Sequence, residues 1–312
     1  MHYAVIDLGS NSIRLSVYER DGLNLQKTFS DKSMAGLAGY ISNDELDMVG
    51  INKASSILRY FKSLALKFTQ IENIHVFASA SLRNVSNGEK AVEIIFQETG
   101  LSPVILSGDE EAALGYAGTS RFIDCSNGVM IDIGGASTEL VLFKNGVPER
   151  LESLPIGCLN LYVKHVGEIL PNLKERERID ETVKEQFAKV KWANQTKQPV
   201  LVGTGGTVRA TLALSRVLFD ISEEDYTVFP RQIDTIAKHL ARNKDNIYLK
   251  VYRTVPDRLM TISTGLAILK RAIKVFDCET ISVSNFGVRE GYLIERILGT
   301  GDQYVISHRF ED

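Results

Sequence analysis

One short pattern occurs twice in this chain and constrains its fold more than anything else. Near the start it reads Val5-Ile6-Asp7-Leu8-Gly9-Ser10-Asn11-Ser12. It returns 125 positions later as Met130-Ile131-Asp132-Ile133-Gly134-Gly135-Ala136-Ser137-Thr138. Each copy is a buried apolar strand that ends on Asp, an apolar residue and Gly, with small hydroxyl residues after it. Each then runs into alternating residues, Ile13, Leu15, Val17 and Leu140, Leu142. Each second strand meets a hairpin signal, Asp21-Gly22 or Asn145-Gly146. A repeat of this length is a duplicated domain and not a solenoid.

Helical and strand patterns alternate around both copies. Ala54, Ile57, Leu58, Phe61, Leu64, Ala65 and Phe68 recur three and four apart, which is one face of a helix. Ile74–Ala78 and Val104–Leu106 read as strands, and an acidic first turn at Asp109-Glu110-Glu111 opens another helix. In the second half, helices are expected over about 158–170, 257–276 and 288–298. The class is therefore α/β. With 312 residues there is length for two cores.

Composition excludes several functions. Lys plus Arg is 36 against 39 Asp plus Glu, so the net charge is −3, and no nucleic-acid partner is expected. No uncharged stretch exceeds 11 residues, too short to span a bilayer. The first residues lack the basic and apolar regions of a secretory signal. Cys125, Cys158 and Cys278 have no CxxC spacing. The expectation is a cytoplasmic chain with reduced thiols and no membrane partner. No GxxxxGK[ST], strand-following GxGxxG, HExxH or zinc spacing is present.

The chemistry concentrates in three turns: Gly9-Ser10-Asn11-Ser12, Gly134-Gly135-Ala136-Ser137-Thr138 and Gly203-Thr204-Gly205-Gly206-Thr207. Small residues let successive N–H groups converge, and short hydroxyls add donors, so such nests suit phosphate oxygens. An acid beside a phosphate repels it unless a cation lies between. Asp132, and Asp7 with it, therefore point to a divalent metal, Mg²⁺ in the first instance, with Glu139 on the outgoing strand as a further ligand.

Taken in order, these motifs resemble the Ppx/GppA family of exopolyphosphatases and guanosine pentaphosphate phosphatases. That family lies within the superfold of actin, sugar kinases and heat-shock chaperones. The matching residues are Asp7 to Ser12, Ala78-Ser79-Ala80-Ser81-Leu82-Arg83, Ser107-Gly108-Asp109-Glu110-Glu111-Ala112 and Ile131 to Glu139. Gly157-Cys158, Gly203 to Thr207, Gly265 to Leu269 and Arg289-Glu290-Gly291 complete the set. The resemblance implies two duplicated actin-like (ribonuclease H-like) domains with an interdomain cleft, at 1–117 plus 288–312 and at 118–287. It implies Mg²⁺- or Mn²⁺-dependent hydrolysis of the terminal phosphoryl group of inorganic polyphosphate, or else of guanosine pentaphosphate. Glu111 is then the catalytic base, Arg83 and the three turns bind phosphate, and Asp132, Glu139 and Asp7 hold the metal. It leaves a homodimer open.

Three residues depart from the family pattern: Ala136 where a third glycine is usual, Thr264 where a proline is, and Asn285 where an aspartate is. Longer members continue into an additional helical domain. Two rival readings remain beside this one. A kinase of the same superfold needs a purine pocket and a sugar-binding insertion, and a nonenzymatic nucleotide-regulated module needs a peptide-binding domain.

Overall fold

The structure is a computed structural model that describes residues 1–123, 125–193, 197–299 and 304–308. The chain divides into two compact units, Met1–Arg121 with Val288–Asp312 and Phe122–Gly287. Residues 300–303 and 309–312 of the expected first domain lie outside the described residues.

The first unit opens with β1 (His2–Leu8), β2 (Ser12–Asp21) and β3 (Asn24–Met34), paired antiparallel in sequence order. Gly22, at φ 60, supplies the left-handed residue of the β2–β3 turn. A short hairpin, β4 (Ile41–Ser42) and β5 (Glu45–Leu46), leads to α1 (Met48–Ala65). The Asp47 carboxylate accepts a hydrogen bond from the Gly50 amide at 2.7 Å and so starts this helix. Its apolar stripe, Ile51, Ala54, Leu58, Phe61 and Ala65, is buried on the sheet. β6 (Ile74–Ala78) then pairs parallel with β1, followed by α2 (Ala80–Arg83), α3 (Gly88–Thr99), β7 (Val104–Ile105) and α4 (Gly108–Thr119).

The second unit repeats the plan. β8 (Gly128–Ile133), β9 (Thr138–Lys144) and β10 (Val147–Leu154) form the antiparallel set. Asn145 (φ 51) and Gly146 (φ 74) turn the β9–β10 hairpin, both left-handed as a two-residue hairpin requires. Then come α5 (Cys158–His165), α6 (Leu173–Ala188), β11 (Val200–Thr204), α7 (Gly205–Phe219), β12 (Thr227–Val228), α8 (Pro230–Arg242), α9 (Ile247–Thr254), α10 (Ile262–Phe276) and β13 (Thr280–Val283). α11 (Val288–Tyr292), a π-helical turn over Leu293–Leu298 and β14 (Val305–His308) return to the first unit.

The sheet orders are β14-β3-β2-β1-β6-β7 and β10-β9-β8-β11-β13-β12. In both, the first strand of the repeat is central, flanked by its hairpin partner on one side and a parallel strand on the other. That is the actin-like plan. It places the residues after β1 and after β8 at the carboxyl ends of central strands, where ligands bind in such sheets.

Three helices differ from expectation. The helix from 158 stops at His165 because Val166 is extended (φ −104, ψ 117). The helix expected from 257 begins at Ile262, after a separate turn over Pro256–Arg258. The closing helix 288–298 changes to π-helical winding after Tyr292.

Candidate functional site

In the first unit the turn after β1 is tight. A Cβ on Gly9 would stand 2.9 Å from the Ser12 carbonyl oxygen, so only glycine fits without a shift. The Ser10 carbonyl accepts from the Ala38 amide (3.3 Å), and the Asn11 carbonyl accepts from Ala35 and Gly36 (3.0 and 2.9 Å). With those carbonyls engaged, N–H groups and side-chain donors are what the turn offers a ligand. The Asn11 side-chain nitrogen Nδ2 is buried without a partner. Asp7 is in register with Arg14 on β2, whose Nε donates to Ser12 Oγ at 3.3 Å.

β6 delivers α2, and Ser81 Oγ donates to the Leu8 carbonyl at 2.5 Å, tying α2 to the first turn. Arg83 ends α2. Its Nη1 donates to the Leu106 carbonyl at 3.0 Å and to Glu111 Oε2 at 2.7 Å. Glu111 is placed by the start of α4. Ser107 Oγ accepts from the Glu110 amide, and the Glu110 carboxylate accepts from the Ser107 amide at 2.9 Å, a reciprocal cap. Glu110 also takes Arg296 Nη2 at 2.5 Å. Its carboxyl is held below the usual range, first by the Ser107 amide. The two neighbouring acids thus have different work. Glu110 caps the helix at the surface, and Glu111 is 9% exposed beside an arginine.

The turn after β8 has the same construction. A Cβ on Gly134 would stand 3.1 Å from the Ser137 carbonyl oxygen. The Gly134 carbonyl accepts from Cys158 (3.0 Å), and the Gly135 carbonyl accepts from Leu159 and Asn160 (2.8 and 3.0 Å). The Ala136 carbonyl accepts from Asn160 Nδ2 at 2.9 Å. The first turn of α5 therefore holds every carbonyl of the loop's middle. Gly157 permits this approach, since a Cβ there would overlap the Gly135–Ala136 backbone. Ala136 is not among the positive-φ residues, so the missing third glycine is accommodated without strain. Thr264 has its own explanation. Its hydroxyl donates to the Cys158 carbonyl at 2.6 Å, a bond that proline has no donor to make. Nothing in the structure explains Asn285.

Glu139, Asp132 and Thr204 are in register across β9, β8 and β11, so they share one face of the sheet. Glu139 is 1% exposed, and its Oε1 accepts from Ser153 Oγ at 2.9 Å. Carboxylates on directly opposed strand positions have Cβ atoms about 5 Å apart and repel each other. This oxygen-donor pair fits a hard divalent cation, which relieves the repulsion. Mg²⁺ commonly takes one or two carboxylates, its other ligands being water and phosphate. Among the described residues no group of three or more His, Cys, Asp or Glu side chains is placed to hold a metal, so water and substrate oxygens would complete the shell.

The third turn closes on the same carboxylate. Thr204 Oγ1 donates to the Phe286 carbonyl at 2.7 Å. Gly205 lies at φ 84, and a Cβ on it would overlap Asp132 Oδ1. The N-terminus of α7, the positive end of its dipole, therefore abuts Asp132. Arg258, 6% exposed, packs its guanidinium over Gly206, 3.9 Å from Cys158 Sγ, with Nε 3.2 Å from Asp257. Thr207 is buried behind the turn against Gly265. Nothing local in the sequence singles out Arg258, and only the fold seats it over Gly206 beside Cys158.

The first unit thus gathers Gly9, Ser10, Asn11, Ser12, Asp7, Arg83 and Glu111. The second places Asp132, Gly134, Gly135, Ser137, Glu139 and Gly203 to Gly206 around its two turns, with Arg258 added, whereas three of the expected phosphate donors are spent within the protein: the Thr138 hydroxyl donates to the Ile156 carbonyl at 2.6 Å, the Gly134 amide donates to the Ser137 carbonyl at 3.0 Å, and Thr207 is buried.

A relative named guanosine-5'-triphosphate,3'-diphosphate pyrophosphatase from Aeromonas hydrophila is 28% identical over 306 residues, covering 95% of this chain and 59% of its own. One of the same name from Pseudoalteromonas translucida is 29% identical, covering 93% and 58%. The chain spans about three-fifths of the length of these curated relatives. The Ppx/GppA family member of Aquifex aeolicus superposes with TM-score 0.76 at 25% identity, over 96% of this chain and 98% of that one. An exopolyphosphatase from Cytophaga hutchinsonii shares the fold, with TM-score 0.84 at 18% identity over 94% and 96%. No helix among the described residues is long and apolar enough to cross a membrane. The model for the Ppx/GppA phosphatase family matches residues 16–299, and the chain belongs to that family.

Proposed function

We propose that this protein is a divalent-metal-dependent exopolyphosphatase, which removes the terminal phosphoryl group of inorganic polyphosphate as orthophosphate. One observation carries the reading. The same glycine turn is built twice at the end of a central strand, each time with its carbonyls engaged elsewhere. Such turns present donors to an anion. The proposal requires one phosphate chain to reach both of them.

Phosphoryl transfer to water is mostly positioning and electrostatic stabilisation. Glu111 orients the attacking water and takes its proton as the oxygen bonds to the terminal phosphorus and the bond to the shortened chain breaks. Arg83 fixes the rotamer of that carboxylate through the 2.7 Å bond. Asn11 Nδ2, buried without a partner, donates to a phosphoryl oxygen. Asp132 and Glu139 would hold Mg²⁺ or Mn²⁺, which when bound offsets charge on the phosphoryl oxygens. Cys125, Cys158 and Cys278 form no disulfide, which is compatible with a cytoplasmic setting.

A second substrate is favoured by the curated relatives' names: the 5'-triphosphate of guanosine pentaphosphate. Both substrates end in a linear phosphoanhydride. The test is orthophosphate release from each with Mg²⁺ or Mn²⁺, beside ATP with a panel of sugars. Phosphate release without sugar phosphorylation is expected. Sugar phosphorylation alone would replace the reading with a kinase.

A further inference from the structure

Away from the glycine turns, α6, α8 and α10 enclose a cavity of about 190 Å³ in the second unit. Its floor is apolar, with Ile179, Leu240 and Leu266 as the larger side chains. Three polar groups on its wall make no hydrogen bond and no ion pair within 4.0 Å among the described residues, although Lys270 and Arg176 attract the first of them at longer range. The Asp180 carboxylate stands at the rim with no hydrogen bond and no ion pair. The Lys238 ammonium has no ion pair, and Ser263 Oγ is buried without a hydrogen bond. The other two charged residues of the wall are already occupied. Lys270 Nζ is 3.0 Å from Asp234, and Arg176 donates to the carbonyls of Pro171 and Leu240.

Asp180 and Lys238 have opposite charge and line one cavity, yet they do not pair within 4.0 Å. Neither side chain is therefore paired with the other, and a third body in the cavity can meet both. From this juxtaposition we infer that the cavity is a binding site for a small zwitterion with an apolar tail, an apolar α-amino acid. Its ammonium goes to Asp180 and its carboxylate to Lys238 and the Ser263 hydroxyl. Its side chain lies on Ile179, Leu240 and Leu266. A volume of about 190 Å³ leaves room for a small organic molecule. Crowding by protein also pushes the Asp180 carboxyl up, against the pull of Lys270 and Arg176.

The site is separate from the phosphate chemistry but lies on a helix that supports it. Gly265 of α10 packs against Thr207, and Thr264 holds the Cys158 carbonyl.

The test is calorimetric titration of the full chain with L-leucine, beside isopentylamine and isovalerate, which carry one of the two charges each. Saturable leucine binding is expected, with each single-charge probe at least about tenfold weaker, a difference of one decade in Kd. Asp180→Asn and Lys238→Met, both at exposed positions, should each weaken leucine by a similar factor with unchanged thermal unfolding. Absence of saturable binding by L-leucine overturns the inference. So does equal binding of all three probes, or leucine binding that neither substitution alters.

Discussion

Arg83 Nη1 lies 2.7 Å from Glu111 Oε2, with the two side chains 17% and 11% exposed. The partners come from different elements, the end of α2 and the first turn of α4. Glu111→Gln keeps shape and hydrogen bonding but cannot take a proton. Turnover should fall by roughly 10²–10⁴-fold, the usual worth of a general base, with substrate affinity nearly unchanged. Steady-state kinetics on a variant with native circular dichroism checks this, and wild-type turnover would remove Glu111 from the role. Arg83→Lys should lower kcat more than it raises KM, because lysine lacks the planar fork that orients a carboxylate.

In the proposed function Asp132 and Glu139 would hold the metal. Orthophosphate release should vanish in excess EDTA and return with Mg²⁺. Asp132→Asn should raise the Mg²⁺ concentration needed for half-maximal activity at least tenfold. Full activity in EDTA would show that these carboxylates serve another purpose. Calorimetric titration with Mg²⁺ alone gives a readout independent of turnover.

Gly205 and Gly291 are tests of packing. Gly205→Ala forces a Cβ onto Asp132 at φ 84, and Gly291→Ala forces one onto the Leu114 carbonyl in α4. Overpacking of this kind costs about 1–3 kcal/mol. Both variants should lower the denaturant midpoint, whereas Gly146→Ala, in open space at φ 74, should cost only about 1 kcal/mol of backbone strain. Equal effects at all three positions would contradict the packing described.

Thiol reactivity follows burial. Desolvation pushes the Cys278 thiol up to about 12, so it is protonated at pH 8. Cys158 is 1% exposed, and Cys125 is the partly exposed one of the three. One thiol per native chain should react quickly with a water-soluble thiol reagent, and peptide mapping should find the label on Cys125. Fast labelling of Cys278 would contradict the burial.

Much of this was legible in the residues because the chemistry is local. The turns after β1 and β8, the Asn145-Gly146 hairpin and the acidic start of α4 each carry their own signal in neighbouring residues. What escaped depends on distant partners. The hydroxyl of Tyr18 donates to Glu290 at 2.6 Å across 272 positions, and Arg289 donates to Ser16 at 2.7 Å. These bonds tie α11 to β2, and no periodicity predicts them. Arg258 is likewise one of 36 basic residues until the loop before α10 folds it over Gly206. The edge strands β12 and β14, two and four residues long, are too short to show alternation.

The most direct test of the central claim is orthophosphate release from polyphosphate and guanosine pentaphosphate, side by side, with wild type and Glu111→Gln in Mg²⁺. The account predicts release from polyphosphate by wild type, lost in EDTA and reduced roughly 10²–10⁴-fold in the variant. A folded wild-type protein that releases phosphate from neither substrate with Mg²⁺ or Mn²⁺, or a variant as active as wild type, would contradict it.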